Sequence, residues 1–294
     1  MYYRRKVILA LISRCGGQIE KLRLQKLLLL FCSLQENAVY SFVPYRYGCF
    51  SFQANADLVT MERKGLVEST DSSWILKAIK DEFVNLKPSD LVHMEIICSR
   101  YAHLSTDELI RHTYITHPYY ALRSTITDKL LNEDQKRTVS QTVSSESSTC
   151  LFTIGYEGRT IEDVLNILLK RNIRVLCDVR KNALSMKYGF SKTTLSNACK
   201  NVGIAYYHFA DLGIESSERK ALVTKEDYQE LFAEYRSGVV VNTRPRQREL
   251  LQLISSENRV ALICFEKDSG MCHRSHLADA LVTLEKFNLQ LVHL

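Results

Sequence analysis

The chain has 294 residues, of which 46% are hydrophobic and 24% charged, with a formal charge of +6. These are globular values that exclude a disordered or fibrous chain, and the length suits two domains of roughly 100–200 residues. The basic excess splits evenly, about +3 on each side of residue 150, so neither half is a polycationic arm and charge argues only weakly for nucleic acid.

Two helical patterns open the chain. Lys6 to Gly17 ends in a glycine pair suited to a helix C-terminus, and Glu20 to Gln35 carries leucines dense enough for a buried helix. An aromatic, turn-rich stretch, Tyr40 to Phe52, follows. Helical periodicity returns at Gln53 and stops at Lys64-Gly65. Leu66-Val-Glu and Trp74 to Lys77, separated by Ser-Thr-Asp-Ser-Ser, read as a small hairpin. Helices followed by a hairpin is the order of a winged helix. Ser89–His103, Thr106–Thr113 and Tyr119–Leu131 read as helical, with Pro118 interrupting.

Residues 132–149 have few apolar side chains and many Ser and Thr, a linker composition. The expected organisation is therefore a mostly helical binding domain over 1–131, a linker over 132–149, and a second domain over 150–294. That second domain alternates strands (Leu151–Gly155, Val175–Val179, Ala205–Phe209, Val260–Phe265, Gln290–His293) with helices (Thr160–Lys170, Lys192–Asn201, Lys225–Tyr235, Arg246–Ser255, Arg274–Lys286). Such alternation predicts an α/β layered fold with a mainly parallel sheet.

Nine cysteines, odd in number and mostly within apolar runs, do not form a disulfide framework, and no signal-peptide pattern follows Met1–Lys6. The expected compartment is a reducing cytoplasm. Leu27–Cys32, the longest apolar stretch, is far below the ~20 residues of a membrane span, so no membrane partner is expected.

Ile154-Gly-Tyr-Glu-Gly-Arg-Thr160, Cys177-Asp-Val-Arg180, Gly189-Phe-Ser191, Gly203-Ile-Ala-Tyr206, Leu212-Gly213 and Cys264 to Asp268 with Cys272-His-Arg274 stand in one order over residues 151–294. Together they resemble the bacterial and archaeal family called domain of unknown function 488. The resemblance implies an architecture and site positions but no reaction. One departure is visible: Lys181–Ser185 lies where members often carry a proline. The first domain, through Leu24-Gln-Lys-Leu-Leu28 and Tyr47-Gly-Cys-Phe-Ser51, resembles winged-helix-like modules of toxin–antitoxin and defence proteins, which implies a nucleic-acid or partner-binding role.

In an open parallel sheet, ligands bind beyond the carboxyl ends of the strands. Glu157, Asp178, Glu266 and Cys272 are therefore the candidate catalytic residues. Tyr156, Arg159, Arg180, Lys187, Lys192, His208, His273 and Arg274 are the candidate substrate or phosphate contacts. The Gly155–Ile161 turn, with Thr160 as N-cap, is neither a dinucleotide nor a Walker-type loop. Asp178 and Arg180 suit either a structural salt bridge or a general base with an anion clamp. Cys272, before a helix start, reads as a nucleophile of lowered pKa, whereas Cys264 inside a strand reads as a small core residue. The Cys-x₅-Arg cradle of cysteine phosphatases is absent. A divalent cation is compatible with the acids. Zinc would use Cys264, Cys272 and His273 with Asp178 or His208, although no Cys-x-x-Cys pair exists and adjacent Cys-His ligands are awkward. Lys187, Tyr188, Phe190 and Lys192 mix basic and aromatic groups that suit bases and phosphates, while His208 and Asp211 follow the third strand.

Three function classes follow. The favoured one is an enzyme processing nucleic acid, by hydrolysis or base or repair-type chemistry, through the three acids with Arg180 and Arg274 on phosphate. The second is thiol chemistry on a small substrate through Cys272. The third is a non-catalytic DNA-binding regulator with a ligand-sensing α/β domain.

Overall fold

The computed structural model describes residues 1–77, 85–215, 217–218, 224–284 and 289–294. They form two units, Met1–Thr142 and Val143–Leu294.

The first unit opens with α1 (Tyr3–Arg14), β1 (Gln18–Glu20) and α2 (Lys21–Cys32). The hairpin β2 (Val43–Tyr45) and β3 (Gly48–Phe50), α3 (Phe52–Arg63) and the hairpin β4 (Val67–Ser69) and β5 (Ser73–Leu76) follow. β1, which the sequence reading missed, pairs with β5 to complete a three-stranded antiparallel sheet of order β1-β5-β4. Asp57 of α3 is buried and holds Arg4, Arg5 and Tyr40 at 2.5, 2.7 and 3.0 Å, tying α1 to α3.

Helices α4 (Pro88–Tyr101), α5 (Thr106–Thr116), α6 (Thr127–Leu130) and α7 (Glu133–Ser140) complete the unit. The helix expected over Tyr119–Leu131 is instead a 3₁₀ turn at Pro118–Ala121 and the one-turn α6. The segment expected as a linker carries α7. Asn132 and Gln135 cap each other's backbone there, and Val139 packs with Ile110, Tyr114, Ala121 and Leu131. A reciprocal cap and one buried apolar residue make a helix out of a polar stretch.

The second unit runs β6 (Cys150–Gly155), α8 (Ile161–Lys170), β7 (Val175–Asp178), α9 (Lys192–Asn201) and β8 (Ala205–His208). It continues through α10 (Lys225–Tyr235), α11 (Arg244–Glu257), β9 (Arg259–Cys264), α12 (His273–Thr283) and β10 (Gln290–His293). The end of the last expected helix, residues 285–286, lies outside the described residues. Every pairing in the five-stranded sheet is parallel, in the order β10-β6-β9-β7-β8. Thr160 caps α8 with Asp163 in a reciprocal box, as the sequence predicts.

Both faces of the sheet are covered, which is why the strands read as continuous apolar runs. Leu151, Val175, Cys177, Val260 and Leu262 share a core with Leu250 and Ile254 of α11 and Leu277 and Leu281 of α12. Their strand neighbours Phe152, Ile154, Leu176, Ala261 and Ile263 alternate to the opposite face and are equally buried. From β7 the chain moves outward to β8, and from β9 it returns toward β10. Adjacent β7 and β9 thus send their connections in opposite directions, which opens a crevice beyond their carboxyl ends.

The first unit holds a cavity of about 780 Å³ lined in part by Arg14, Cys15, Arg23, Cys98 and Thr106. A hydrogen bond from the Cys98 thiol brings Cys15 down to about 7, against burial and with the help of the Arg23 charge. Cys15 is therefore thiolate above that pH. Its alkylation, followed by peptide mass spectrometry, is expected to rise with a midpoint near pH 7. In Cys98→Ser the midpoint moves up toward the ordinary thiol range unless the serine hydroxyl replaces the bond, and Cys98→Ala removes that ambiguity.

Candidate functional site

Asp178, at the end of β7, is completely buried. Its Oδ1 accepts from the Arg180 backbone N–H at 3.1 Å and from Arg180 Nε at 2.8 Å. Its Oδ2 accepts from Arg180 Nη2 at 2.5 Å and from the Tyr206 hydroxyl at 2.7 Å. A carboxylate offers about four lone-pair directions, and all four are filled. Burial works against the Arg180 cation, but hydrogen bonding and charge from Asp178 outweigh it and raise the guanidinium pKa. Tyr206 is pushed up by burial and by the Asp178 charge, so it stays protonated and donates. Of the two sequence readings of this pair, the geometry matches the salt bridge and leaves Asp178 no lone pair for a substrate proton or a cation.

Arg180 carries this order outward. Its Nη1 donates to the Tyr156 hydroxyl at 2.8 Å and its Nη2 to the Phe190 carbonyl at 2.9 Å. Tyr156 stacks on Phe190 with centroids 4.1 Å apart and meets Phe265 edge-on. The Arg180 carbonyl accepts from His208 Nε2 at 2.8 Å.

The loop after β9 is pinned from two sides. Arg274, buried, donates to the Glu266 carbonyl at 2.5 Å and the Lys267 carbonyl at 3.2 Å, so it clamps backbone rather than facing an anion. Glu157 accepts from the Lys267 backbone N–H at 2.9 Å, which gives this acid a structural task as well. A Cβ on Gly155 would stand 1.8 Å from the Glu266 carbonyl oxygen, so only glycine lets the loop cross β6 there. Gly213 does the same for the Lys181 backbone, 2.1 Å from its own hypothetical Cβ. These contacts explain two motif glycines by close approach.

Beyond the ends of β7 and β9 lies a cavity of about 240 Å³ lined by Tyr156, Arg180, Lys181, Asn182, Leu184, Ile214, Cys264, Phe265 and His273. His273, buried at the start of α12, places Nε2 2.9 Å from the Val179 carbonyl. A carbonyl only accepts, so Nε2 carries a proton there, and Nδ1 is the nitrogen turned toward Cys264. That nitrogen lies 3.7 Å from the Cys264 thiol, which also reaches Glu266 Oε2 at 3.3 Å. Cys264, expected as a core residue, is therefore the sulfur that meets the cavity. Cys272 is fully buried, and burial followed by contact with Cys264 raises its thiol pKa well above the ordinary value, with His273 opposing only in part. The expected low-pKa nucleophile at Cys272 is not found, because desolvation outweighs a helix N-terminus.

The ligand atoms of Cys264, Cys272 and His273 lie within 4.8 Å of one another, and no other such group of three occurs among the described residues. Asp178 and His208, the expected fourth zinc ligands, are occupied elsewhere. Lys192 and His208 line a separate open groove with Tyr206 and Tyr207, not this cavity. Lys187 donates to the Tyr156 carbonyl at 3.0 Å, and Arg159 reaches the Gly155 and Leu294 carbonyls. Arg246 holds Asp211 at 3.4 Å. Sequence reasoning did not find Asn182 or Ile214, and it passed over the orienting Val179 carbonyl although Val179 stands within the Cys177–Arg180 motif. Tyr206 was visible only as a motif residue.

Asp178→Ala would strand the buried Arg180 charge and is expected to destabilise the unit by about 3–5 kcal/mol in denaturant unfolding. The double variant Asp178→Ala/Arg180→Met should regain a large part of that loss. A stable Asp178→Ala chain would count against the structural assignment.

Residues 160–281 match the family model described as a domain of unknown function, DUF488. The match contains Asp178, Arg180, Cys264, Cys272 and His273, while β6 and the Gly155–Glu157 turn precede it. No curated protein matches the chain.

Proposed function

We propose that the C-terminal unit is a thiol-dependent enzyme acting on a small polar substrate, with Cys264 as the reacting sulfur and His273 as its base. The observation that carries this reading is the His273 ring, turned by Val179 so that Nδ1 faces Cys264 at the wall of a cavity. A nucleophile beside a base that a third group orients is the arrangement that activates a weak thiol. Proton transfer runs from Sγ to Nδ1, and the thiolate adds to an electrophilic carbon of a substrate in the cavity, where the π pair of the attacked C=O or C=N bond moves onto the heteroatom. Arg180 and Asn182 stand on the same cavity wall, where N–H groups meet developing negative charge. The cavity falls below the 300–1,000 Å³ of common ligand pockets, so it suits a small molecule or one end of a larger one.

The acid-based nucleic-acid reading draws less support. Asp178 is saturated, Glu157 holds backbone, and the three acids do not gather into a cation site among the described residues.

For the N-terminal unit we infer a winged-helix-like binding module, supported by the order α1-β1-α2-α3-β4-β5, with the β2-β3 hairpin inserted between α2 and α3, and by the sheet order β1-β5-β4. Over α3 and the following hairpin, Arg63, Lys64 and Lys77 are matched in number by Glu62, Glu68 and Asp71, while Asp57 is buried against Arg4 and Arg5. That balance gives little purchase on a phosphate backbone, so a protein partner is favoured over DNA. Mobility assays with short single- and double-stranded DNA and RNA should show no shift at about 0.15 M salt. A salt-sensitive shift lost in Arg63→Glu would return the weight to nucleic acid.

Alkylation with iodoacetamide in the presence of a chelator, mapped by mass spectrometry, tests the thiol reading. Cys264 should label well ahead of Cys177, Cys199 and Cys272, and His273→Gln should slow it about a hundredfold, the low end of what a positioned base contributes. Labelling of Cys264 no faster than that of the buried Cys177 would reject it.

A further inference from the structure

We propose that Cys264, Cys272 and His273 hold one divalent cation of the zinc class, with the fourth coordination position facing the cavity beside Arg180 and Asn182. This rests on the thiol-centred reading of the same site and deepens it by naming the ion that the sulfurs take; while the ion is bound His273 is its ligand and not the base, so the proton transfer from Cys264 belongs to the metal-free site.

The donor geometry is the first support. Tetrahedral zinc with bonds of about 2.3 Å to sulfur and about 2.0 Å to nitrogen sets S and N about 3.6 Å apart, and two sulfurs slightly farther. Cys264 Sγ and His273 Nδ1 are 3.7 Å apart, and all three ligand atoms fall within 4.8 Å. The second support is the outer contact. A ligating imidazole characteristically donates its other N–H to a carbonyl or carboxylate, which fixes the ring, and His273 does so to Val179.

Adjacent Cys-His ligands are awkward in an extended strand or a helix. Here Cys272 is the N-cap of α12, with φ −140° and ψ 135°, and His273 is the first helical residue. The backbone changes direction between them, and both side chains turn to one point. Two sulfurs and an imidazole select zinc or a similarly soft ion over magnesium or calcium, which take oxygen ligands.

Three protein ligands and one position open to a cavity is the pattern of a working zinc site rather than a closed structural one. Cys264 and His273 line the cavity, and Glu266 Oε2, outside the group of three, reaches Cys264 at 3.3 Å. Ligation requires the cysteines as thiolates, so uptake of the ion releases protons.

The full chain, purified without chelator, is expected to carry close to one zinc by elemental mass spectrometry. After stripping, titration with cobalt(II) should produce thiolate-to-cobalt absorption in the near ultraviolet and the intense visible bands of a tetrahedral ion. Cys264→Ser and His273→Gln should each weaken uptake at least tenfold, while Cys15→Ser in the other unit keeps it. Absence of these bands in stripped wild type, which requires no variant to fold, overturns the proposal. So does uptake that persists undiminished in both site variants. Rapid alkylation of Cys264 without metal uptake would discard the cation and leave the thiol reading standing. Stoichiometric uptake with a Cys264 that stays inert after stripping would do the reverse.

Discussion

A carboxylate with no exposure to water must be met by positive charge and hydrogen bonds, or it would not be ionised there at all. Asp178 is in that position, and the Arg180 guanidinium two residues later answers it in a bidentate pair. The remaining donors of Arg180 then have to be used nearby, and they go to Tyr156 and Phe190. The end of β7, the turn after β6 and the loop before α9 are thereby set relative to one another. Tyr206 of β8 adds a fourth bond to the same carboxylate. One buried ion pair orders the mouth of the crevice.

The sulfur centre depends on this order indirectly. Val179 lies between the paired residues, so fixing Asp178 and Arg180 also fixes the carbonyl that orients His273. On the other side, the loop after β9 is held by Arg274 and by its crossing over Gly155. Cys264 at the end of β9 and His273 at the start of α12 are brought together where β7 and β9 send their connections apart, and the Val179 carbonyl turns the ring. A polar contact in such a dry setting is stronger than the same contact in water, and more costly if left unmade. That is the physical basis for proposing chemistry at the thiol and imidazole and for giving Arg274 a structural task.

The N-terminal unit uses the same principle for a different end. Asp57 is as buried as Asp178, but its partners are Arg4, Arg5 and Tyr40, and the result is a tie between the first and third helices. Nothing around it resembles a cavity with a reactive group. Buried ion pairs in this chain are therefore not markers of a reaction by themselves. Asp178 drew notice in the sequence because it closes a strand at a crevice, and it proves to be the support of the site.

Much of the architecture was legible from pattern. Apolar runs of strand length alternating with helical periodicity gave the five parallel strands to within a residue or two, because two-sided burial leaves that signature. Strand ends also marked where chemistry would gather. Other features were not legible. The helix Glu133–Ser140 is stabilised by a cap and one packed valine, which a polar composition hides. The sequence alone placed Asp178, Arg180, Cys264, Cys272, His273 and Arg274 near one crevice. Tertiary structure decided which of them are tied to each other and which face open space, because burial and the direction of a carbonyl belong to the packed sheet. A thiol at a helix start reads as reactive until desolvation is known, and a thiol inside a strand reads as inert until the helix that follows it brings an imidazole back to the strand end, turned by a carbonyl of the neighbouring strand.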